Sequence, residues 1–347
     1  MEDIIGALIS DWFDAGHRDL PWRRTRDPYR IWVSEVMLQQ TRVETVRDYY
    51  ARFLERFPTV DALACAERDE VMAVWQGLGY YRRADNLKKG AAYVHTALQG
   101  QFPHTREGLL EVPGIGDYTA GAIASFAFGL PEPAVDGNVM RVVSRLFALD
   151  APIDTPAAKR DVTDRVRRMI PAGRAWSHNQ GLMELGAVVC LPKGPRCEEC
   201  PVRNLCQAYE RDLVEILPRK NPKKKQTVVR RAVLLVTCGA AVLLHRRPEE
   251  GLLAGLWEFP GYDEGEDNPL AAQGWGPDTL RPVGSARHVF THRIWQMEGY
   301  WGQAEAAVDL GPDYRWQPLD RLEEVAIPTA LRAYREWLMG EGQLSLV

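Results

Sequence analysis

Four cysteines near the middle of the chain, Cys190, Cys197, Cys200 and Cys206, are spaced C-x6-C-x2-C-x5-C, while Cys65 and Cys238 stand elsewhere. Four thiolates in one short loop can close around a single metal centre, and an all-sulfur shell suits an iron–sulfur cluster or zinc. Disulfides are the competing use. The chain opens MEDIIGALISDWF, without the basic stretch and cleavage site of a secretory leader. A reducing compartment is therefore expected, and metal over disulfide. Zinc ribbons usually repeat a C-x2-C pair, and only one such pair stands here. The spacing turns the expectation towards a 4Fe–4S cluster.

Two carboxylates are candidates for acid–base work. Glu35 lies in Ile31-Trp-Val-Ser-Glu-Val-Met-Leu38, where almost every neighbour is apolar. A carboxyl held there has its pKa raised and can give or take a proton near neutrality, although a satisfied core glutamate is the plainer alternative. Asp136, in Ala134-Val-Asp-Gly-Asn-Val139, stands just before a helical stretch, where capping alone could explain it. Between them, Val112-Pro-Gly-Ile-Gly116 joins two helical segments. The proline stops the first, Gly114 and Gly116 permit positive φ and close approach, and Asp117 is placed to cap the second. Such a hairpin aims backbone N–H groups at a phosphate, although a plain tight turn has the same sequence.

The elements that must position these groups divide the chain in two. At 347 residues, 46% hydrophobic and 26% charged, it is long enough for two packed domains, and no apolar run reaches a membrane span. A protein of the cytoplasm is expected. Net charge is −4, but residues 1–225 carry 32 Lys+Arg against 30 Asp+Glu, whereas 226–347 carry 11 against 17. The overall sign therefore hides local basic clusters: Arg23, Arg24 and Arg26; Arg82, Arg83, Lys88 and Lys89; Lys193 and Arg196. Helical periodicity runs through about 2–16, 29–56, 69–77, 84–98, 107–111, 117–129, 138–149, 157–169 and 177–188. The proline- and lysine-rich stretch 218–227 reads as a basic linker. Beyond it, Val228–Thr237 and Ala241–Arg246 form a hairpin pattern, and Trp257–Gly261 and His288–Trp301 continue as strands. Helical stretches near 268–273 and 328–339 complete an α+β domain.

Several strings together resemble the helix-hairpin-helix DNA glycosylases with an iron–sulfur loop, and among them the MutY-type adenine DNA glycosylases. They are Leu20-Pro-Trp-Arg23, Trp32-Val-Ser-Glu-Val-Met-Leu-Gln-Gln-Thr41, Gly77-Leu-Gly-Tyr-Tyr81, Val112-Pro-Gly-Ile-Gly-Asp-Tyr-Thr-Ala120, Val135-Asp-Gly-Asn-Val139 and the four cysteines. The resemblance implies a multidomain chain. An all-α helix-hairpin-helix glycosylase domain (1–217, with its 4Fe–4S loop at 190–206) would be followed by the linker 218–227 and an α+β Nudix-like, MutT-like domain (228–347). It implies hydrolysis of the N-glycosidic bond of adenine mispaired with 8-oxoguanine, or with guanine, after flipping from duplex DNA. Glu35 would protonate adenine N7, Asp136 would stabilise the oxocarbenium-like sugar, and Tyr118 would assist, by the logic of two-carboxylate glycosidases. Trp22, Arg23, Gln180 and Asn138 would line the base pocket. Gln40 and Tyr80 would wedge into the stack, with Gly114 and Gly116 on the DNA. Related bifunctional lyases carry a lysine where Tyr118 stands, so a monofunctional enzyme is implied. Lys193 and Arg196 could meet phosphates. A monomer at the nucleoid, bound to DNA and to no membrane, completes the expectation.

Gly255-Leu-Trp-Glu-Phe-Pro-Gly261 resembles the entrance to a Nudix box, but the R-E-x-x-E-E helix that should follow is replaced by DEGEDNPLAAQ. Pyrophosphatase activity is not expected. Instead, Phe290-Thr291-His292 is similar to the Phe-Ser-His loop that relatives place against 8-oxoguanine, with threonine keeping the hydroxyl. The alternatives are a glycosylase acting on thymine or oxidised pyrimidines, and a non-catalytic damage-binding module in which Glu35 and Asp136 are structural.

Overall fold

The computed structural model describes residues 1–222, 225–340, 342 and 344. The helical part comprises α1 (Glu2–Ala15), α2 (Pro28–Leu38), α3 (Val43–Arg56), α4 (Val60–Cys65), α5 (Arg68–Trp75), α6 (Arg82–Ala97), α7 (Arg106–Glu111), α8 (Asp117–Phe128), α9 (Gly137–Leu146), α10 (Pro156–Met169), α11 (Ala175–Val188) and α12 (Gln207–Glu210). The chain forms two compact units. One is Met1–Cys65 with Asn86–Pro222; the other joins Ala66–Asp85 to the chain beyond Pro222. The expected boundary near 218–227 thus misses an excursion: α5 and the loop after it pack with the C-terminal part.

In the first unit, α1, α9, α10 and α11 pack around Ile5, Ile9, Val139, Val143, Val162, Val166, Leu182 and Leu185. The 3.6-residue spacing of these residues places each set on one helix face. The expected helix over 29–56 is two helices. Gln39 turns extended and Gln40 takes φ +60°, ending α2 and aiming α3 elsewhere. Residues 219–221 hydrogen-bond to Asp150, Ile153 and Asp154, so the basic stretch starts as a docked strap and not a free linker. Lys223 and Lys224 of that stretch lie outside the described residues.

The hairpin between α7 and α8 is built as its glycines suggest at one position only. Gly114 stands at φ +84°, and a Cβ there would come within 2.9 Å of Asn86. Gly116 is extended (φ −98°, ψ −179°), and a Cβ there meets nothing within 4 Å. Gly116, not Asp117, is the N-cap of α8. Asp117 is the first helical residue and pairs with Arg106.

The second unit is a mixed sheet of β1 (Thr227–Cys238), β2 (Ala241–Arg246), β3 (Trp257–Glu258), β4 (Gly261–Asp263), β5 (Arg281–Val289), β6 (Arg293–Gln303) and β7 (Tyr314–Pro318), followed by α13 (Arg332–Leu338). Strand order is β3-β2-β1-β6-β5, with β4 on β1 and β7 on β2. β1 runs parallel to β6 from Thr227↔Arg293 to Thr237↔Gln303 and antiparallel to β2 across the predicted hairpin. Alternate residues of β1 feed two cores: Val233 and Leu235 on one face, Leu234 and Val236 on the other. The strand expected over His288–Trp301 is the end of β5, a turn and β6. Near 268–273 there is only a 3-10 turn, Ala271–Gln273.

The two hairpin glycines should separate on substitution. Gly114→Ala is expected to destabilise the protein by about 1–3 kcal/mol, because both its φ and its neighbour oppose a side chain. Gly116→Ser is expected to stay within about 0.5 kcal/mol of the parent. Urea denaturation of both variants measures the difference.

Candidate active site

The run that encloses Glu35 folds as α2, whose residues from Ile31 to Met37 are all buried. Glu35 is 3% exposed and accepts a hydrogen bond from the Tyr118 hydroxyl. Burial pushes its pKa up to about 7, helped by the nearby charge of Asp136 and opposed by the Tyr118 bond and Arg23. Tyr118, in the first turn of α8, has its own pKa raised by burial and by Glu35, so it is a neutral donor. The hairpin therefore positions the residue that touches the acid.

Asp136 is the N-cap of α9. One oxygen accepts from Val139 N at 2.8 Å and the other from Asn138 Nδ2 at 2.9 Å. Burial raises its pKa, while those two bonds and Arg141 favour the anion. Asn138 is itself held: Arg141 Nη2 donates to its Oδ1 at 2.9 Å and Arg141 Nε to the Cys190 carbonyl at 2.8 Å. A chain of hydrogen bonds thus runs from Asp136 to the first cysteine.

A third carboxylate sits nearby in the opposite state. Glu184 receives Arg18 Nε and Nη2 at 2.9 and 2.7 Å and Arg23 Nη2 at 2.8 Å. Burial works against its ionisation, yet the two guanidinium groups bring its pKa down to about 2. Arg23 Nε also donates to Gln180 Oε1 at 2.9 Å. Glu35, Tyr118, Asp136, Asn138, Trp22, Arg23, Gln180 and Gln40 all line one open groove of about 1370 Å³, far more than one purine fills. A groove of that size takes a nucleotide with its neighbours.

Gly114 and Gly116 belong to the hairpin and do not line the groove. Tyr80 and the Phe290–His292 turn belong to the second unit. Phe290 packs edge-on against Trp295 at 5.0 Å, while Thr291 and His292 are exposed at the turn between β5 and β6.

Cys190, Cys197, Cys200 and Cys206 line one cavity with Arg145 and Val142. Arg145 is 2% exposed and donates to Cys190 Sγ at 3.3 Å and to the Leu191 carbonyl at 2.7 Å. Burial raises the thiol of Cys200 to about 12 and those of Cys197 and Cys206 above their ordinary values. Among the described residues no three His, Cys, Asp or Glu side chains converge on a point where one ion would sit. The four sulfurs instead share a chamber beside a buried cation. An all-thiolate donor set of that kind fits a bulky, anionic iron–sulfur cluster.

Comparison with known proteins bears on this geometry. Residues 33–168 match the family described as HhH-GPD superfamily base excision DNA repair protein, and residues 231–337 match the NUDIX domain. The adenine DNA glycosylase of Rattus norvegicus is 37% identical over 403 residues, covering 96% of this chain and 78% of that protein. That of Homo sapiens is 36% identical over 395 residues, covering 94% and 72%. The chain belongs to the adenine DNA glycosylase family. A solved thermostable thymine-DNA glycosylase aligns with a TM-score of 0.55 and 30% identity, over 60% of this chain and 97% of that one. The helix-hairpin-helix glycosylase fold of the first unit and the Nudix-like fold of the second are thereby established.

Within this adenine glycosylase family member, sequence reading passed over two residues that organise the groove. Glu184 stands four residues after Gln180 on α11, in the apolar run Gly181-Leu-Met-Glu-Leu185, the same signal that singled out Glu35. Arg141 stands one turn after Asn138.

The pH dependence follows from the two carboxyls. With Glu35 as the proton donor, base release is expected to fall about tenfold per pH unit above its pKa of about 7. With Asp136 as the stabilising anion, release is expected to fall again in acid, below a pKa raised from its ordinary value. Tyr118→Phe removes a bond that lowers the Glu35 pKa and should move the alkaline limb to higher pH. Single-turnover rates across pH test both statements.

Proposed function

We propose that this protein excises adenine paired with 8-oxoguanine, and more slowly adenine paired with guanine, from duplex DNA. One observation carries the reading: a carboxyl protonatable near neutrality and a hydrogen-bonded aspartate face the same groove, beside a glutamine able to read an adenine edge. Adenine is a poor leaving group, and its glycosidic bond is out of reach inside a stacked helix, so the nucleotide must first be extruded. Gln40, exposed at the α2–α3 break, and Tyr80 fill the vacated space as wedges, and the backbone N–H groups at Gly114 and Gly116 seat a phosphate. Trp22, Arg23, Gln180 and Asn138 surround the extruded base.

Glu35 then delivers its proton to adenine N7, and Tyr118 fixes the carboxyl that gives it. As the C–N bond breaks, positive charge grows on the sugar, and Asp136, held by Val139 N and Asn138, stabilises it. Glu35, now ionised, accepts a proton from the attacking water. Tyr118 stands where a lyase would need an amine, so the product is an abasic site in an unbroken strand. Phe290, Thr291 and His292 read the partner base. 8-Oxoguanine gains a donor at N7 and an acceptor at O8, which an exposed hydroxyl and a backbone N–H can distinguish from guanine.

Cys190, Cys197, Cys200 and Cys206 hold a 4Fe–4S cluster, which supplies covalent cross-linking of the loop rather than a step at the glycosidic bond. Lys193 and Arg196 on that loop are exposed and available to phosphates. We read the protein as a monomer acting on nucleoid DNA in the cytoplasm, with a glycosylase part over 1–217 and a lesion-reading part over 228–347. Among the described residues no helix is long and apolar enough to cross a membrane.

The decisive assay is single-turnover release from 8-oxoguanine:A, G:A, 8-oxoguanine:C and G:T duplexes. The expected result is fastest release from 8-oxoguanine:A, with strand breaks only after alkali. Glu35→Gln should slow release by about 10²–10⁴-fold, and Asp136→Asn should bind the duplex without releasing adenine. Faster release of thymine than of adenine, or full activity in Glu35→Gln, would overturn the reading.

For the cluster, the parent should carry about four iron atoms per chain with broad visible absorption, and Cys200→Ser should lose most of both. Elemental analysis decides between this and zinc.

A further inference from the structure

Helix α5 lies in sequence between α4 and α6 but packs in the sheet-containing unit. Its two ends hold different things. At the N-terminal end, Arg68 grips Asp85 with both edges of its guanidinium, Nε–Oδ1 at 2.8 Å and Nη2–Oδ2 at 3.0 Å. The same group donates from Nη1 to the Gly255 carbonyl at 2.8 Å and from Nη2 to the Ala254 carbonyl at 3.2 Å. Gly255 stands at φ +63°, and a Cβ there would come within 2.9 Å of those nitrogens. The glycine is therefore what lets the loop close over Arg68. Asp69 adds a second tie, accepting from Trp257 Nε1 at 3.4 Å.

At the C-terminal end, Trp75 Nε1 donates to the Gly79 carbonyl at 3.1 Å, and Arg83 Nη2 donates to the same carbonyl at 3.2 Å. These bonds fix the loop that carries Tyr80, whose ring lies 5.3 Å from the Arg83 guanidinium. Tyr80 is 50% exposed and stands at φ +50°, a left-handed conformation that costs about 1–3 kcal/mol outside glycine and survives where the surroundings enforce it. α5 is thus a strut. One end is clasped to the loop at 254–257 and the other holds a strained aromatic residue out into solvent.

We propose that Arg68 is a positioning residue. Through α5 it fastens the Tyr80 loop to the NUDIX-type fold, so that seating of that fold on the lesion-bearing strand sets how far Tyr80 enters the duplex. An exposed ion pair is worth little, but this one is two-pronged and largely covered, and a planar fork holds direction as well as distance. Its contribution is therefore to geometry, and it should show in selectivity before it shows in stability. The proposal rests on the function given above, in which Tyr80 is a wedge and the partner base is read by the C-terminal fold.

The test is a double-mutant cycle on 8-oxoguanine:A and G:A duplexes with the full-length, iron-loaded protein: parent, Arg68→Gln, Tyr80→Ala and the pair together. Arg68→Gln is expected to slow release from 8-oxoguanine:A roughly tenfold and from G:A by less than about twofold, with melting temperature little changed. The double variant should be no slower than Tyr80→Ala alone. Equal slowing on both duplexes, additive losses in the double variant, or no slowing at all would overturn the proposal while leaving the parent's activity intact. A parent inert on 8-oxoguanine:A would instead remove the functional reading and this proposal with it. Should Arg68→Gln fail to fold, Asp85→Asn loosens the same clasp from the other side and carries the same expectations.

Discussion

A carboxyl keeps its proton near neutrality only where water is excluded and positive charge is kept from contact, and the first unit is arranged around that constraint at Glu35. Every residue of α2 from Ile31 to Met37 is buried, and the hydrogen bond that reaches the acid comes from a neutral phenol. A guanidinium in contact would destroy the device. Glu184 shows how completely: it lines the same groove and is as buried, yet contact with Arg18 and Arg23 takes it to about 2 where Glu35 stays at about 7. At Glu35 burial is the largest influence and raises the pKa, whereas at Glu184 the two guanidinium groups more than offset it. Asp136 is raised by burial while a backbone N–H and an amide favour its anion. Three carboxylates in one groove therefore have three chemistries, separated by what each one touches.

The parts of this arrangement legible in the sequence were those encoded locally. Glu35 announces itself by its apolar neighbours, Asp136 by its place before a helix, and the cysteines by their spacing. Gly114 and Gly116 look alike in the sequence, yet only Gly114 meets a neighbour, because the obstruction comes from Asn86 on α6. The break between α2 and α3 carries no proline or glycine, since Gln40 itself adopts the left-handed turn. Strand β7 was missed because Tyr314-Arg-Trp-Gln-Pro318 is short, ends in proline and has no clean alternation. The attachment of Ala66–Asp85 to the C-terminal part was invisible for a deeper reason. It depends on Arg68 finding carbonyls nearly two hundred positions away, and no local pattern marks that partner.

The second unit keeps the Nudix-like fold, and the carboxylate of its Trp-Glu-Phe-Pro string is tied down. Glu258, in the Trp-Glu-Phe-Pro string, is 1% exposed and bonded by Arg231 at 2.8 Å and by Arg247 at 2.9 and 2.8 Å. A carboxylate enclosed by two guanidinium groups is a structural pin, with its lone pairs already committed. After β4, where a metal-binding acidic helix would stand, the described residues form turns and one 3-10 segment. At the β5–β6 turn Phe290 is anchored on Trp295, and Thr291 and His292 are exposed.

Removing a base because of what it is paired with requires that information from one strand reach the bond broken on the other. Gln40 and Tyr80, the wedges of the proposed function, are both left-handed non-glycine residues, and they belong to different compact units. Gln40 belongs to the unit that carries Glu35 and Asp136, and Tyr80 to the unit that carries Thr291. A residue held at positive φ has little freedom to yield when the stack pushes back, which is what a wedge needs.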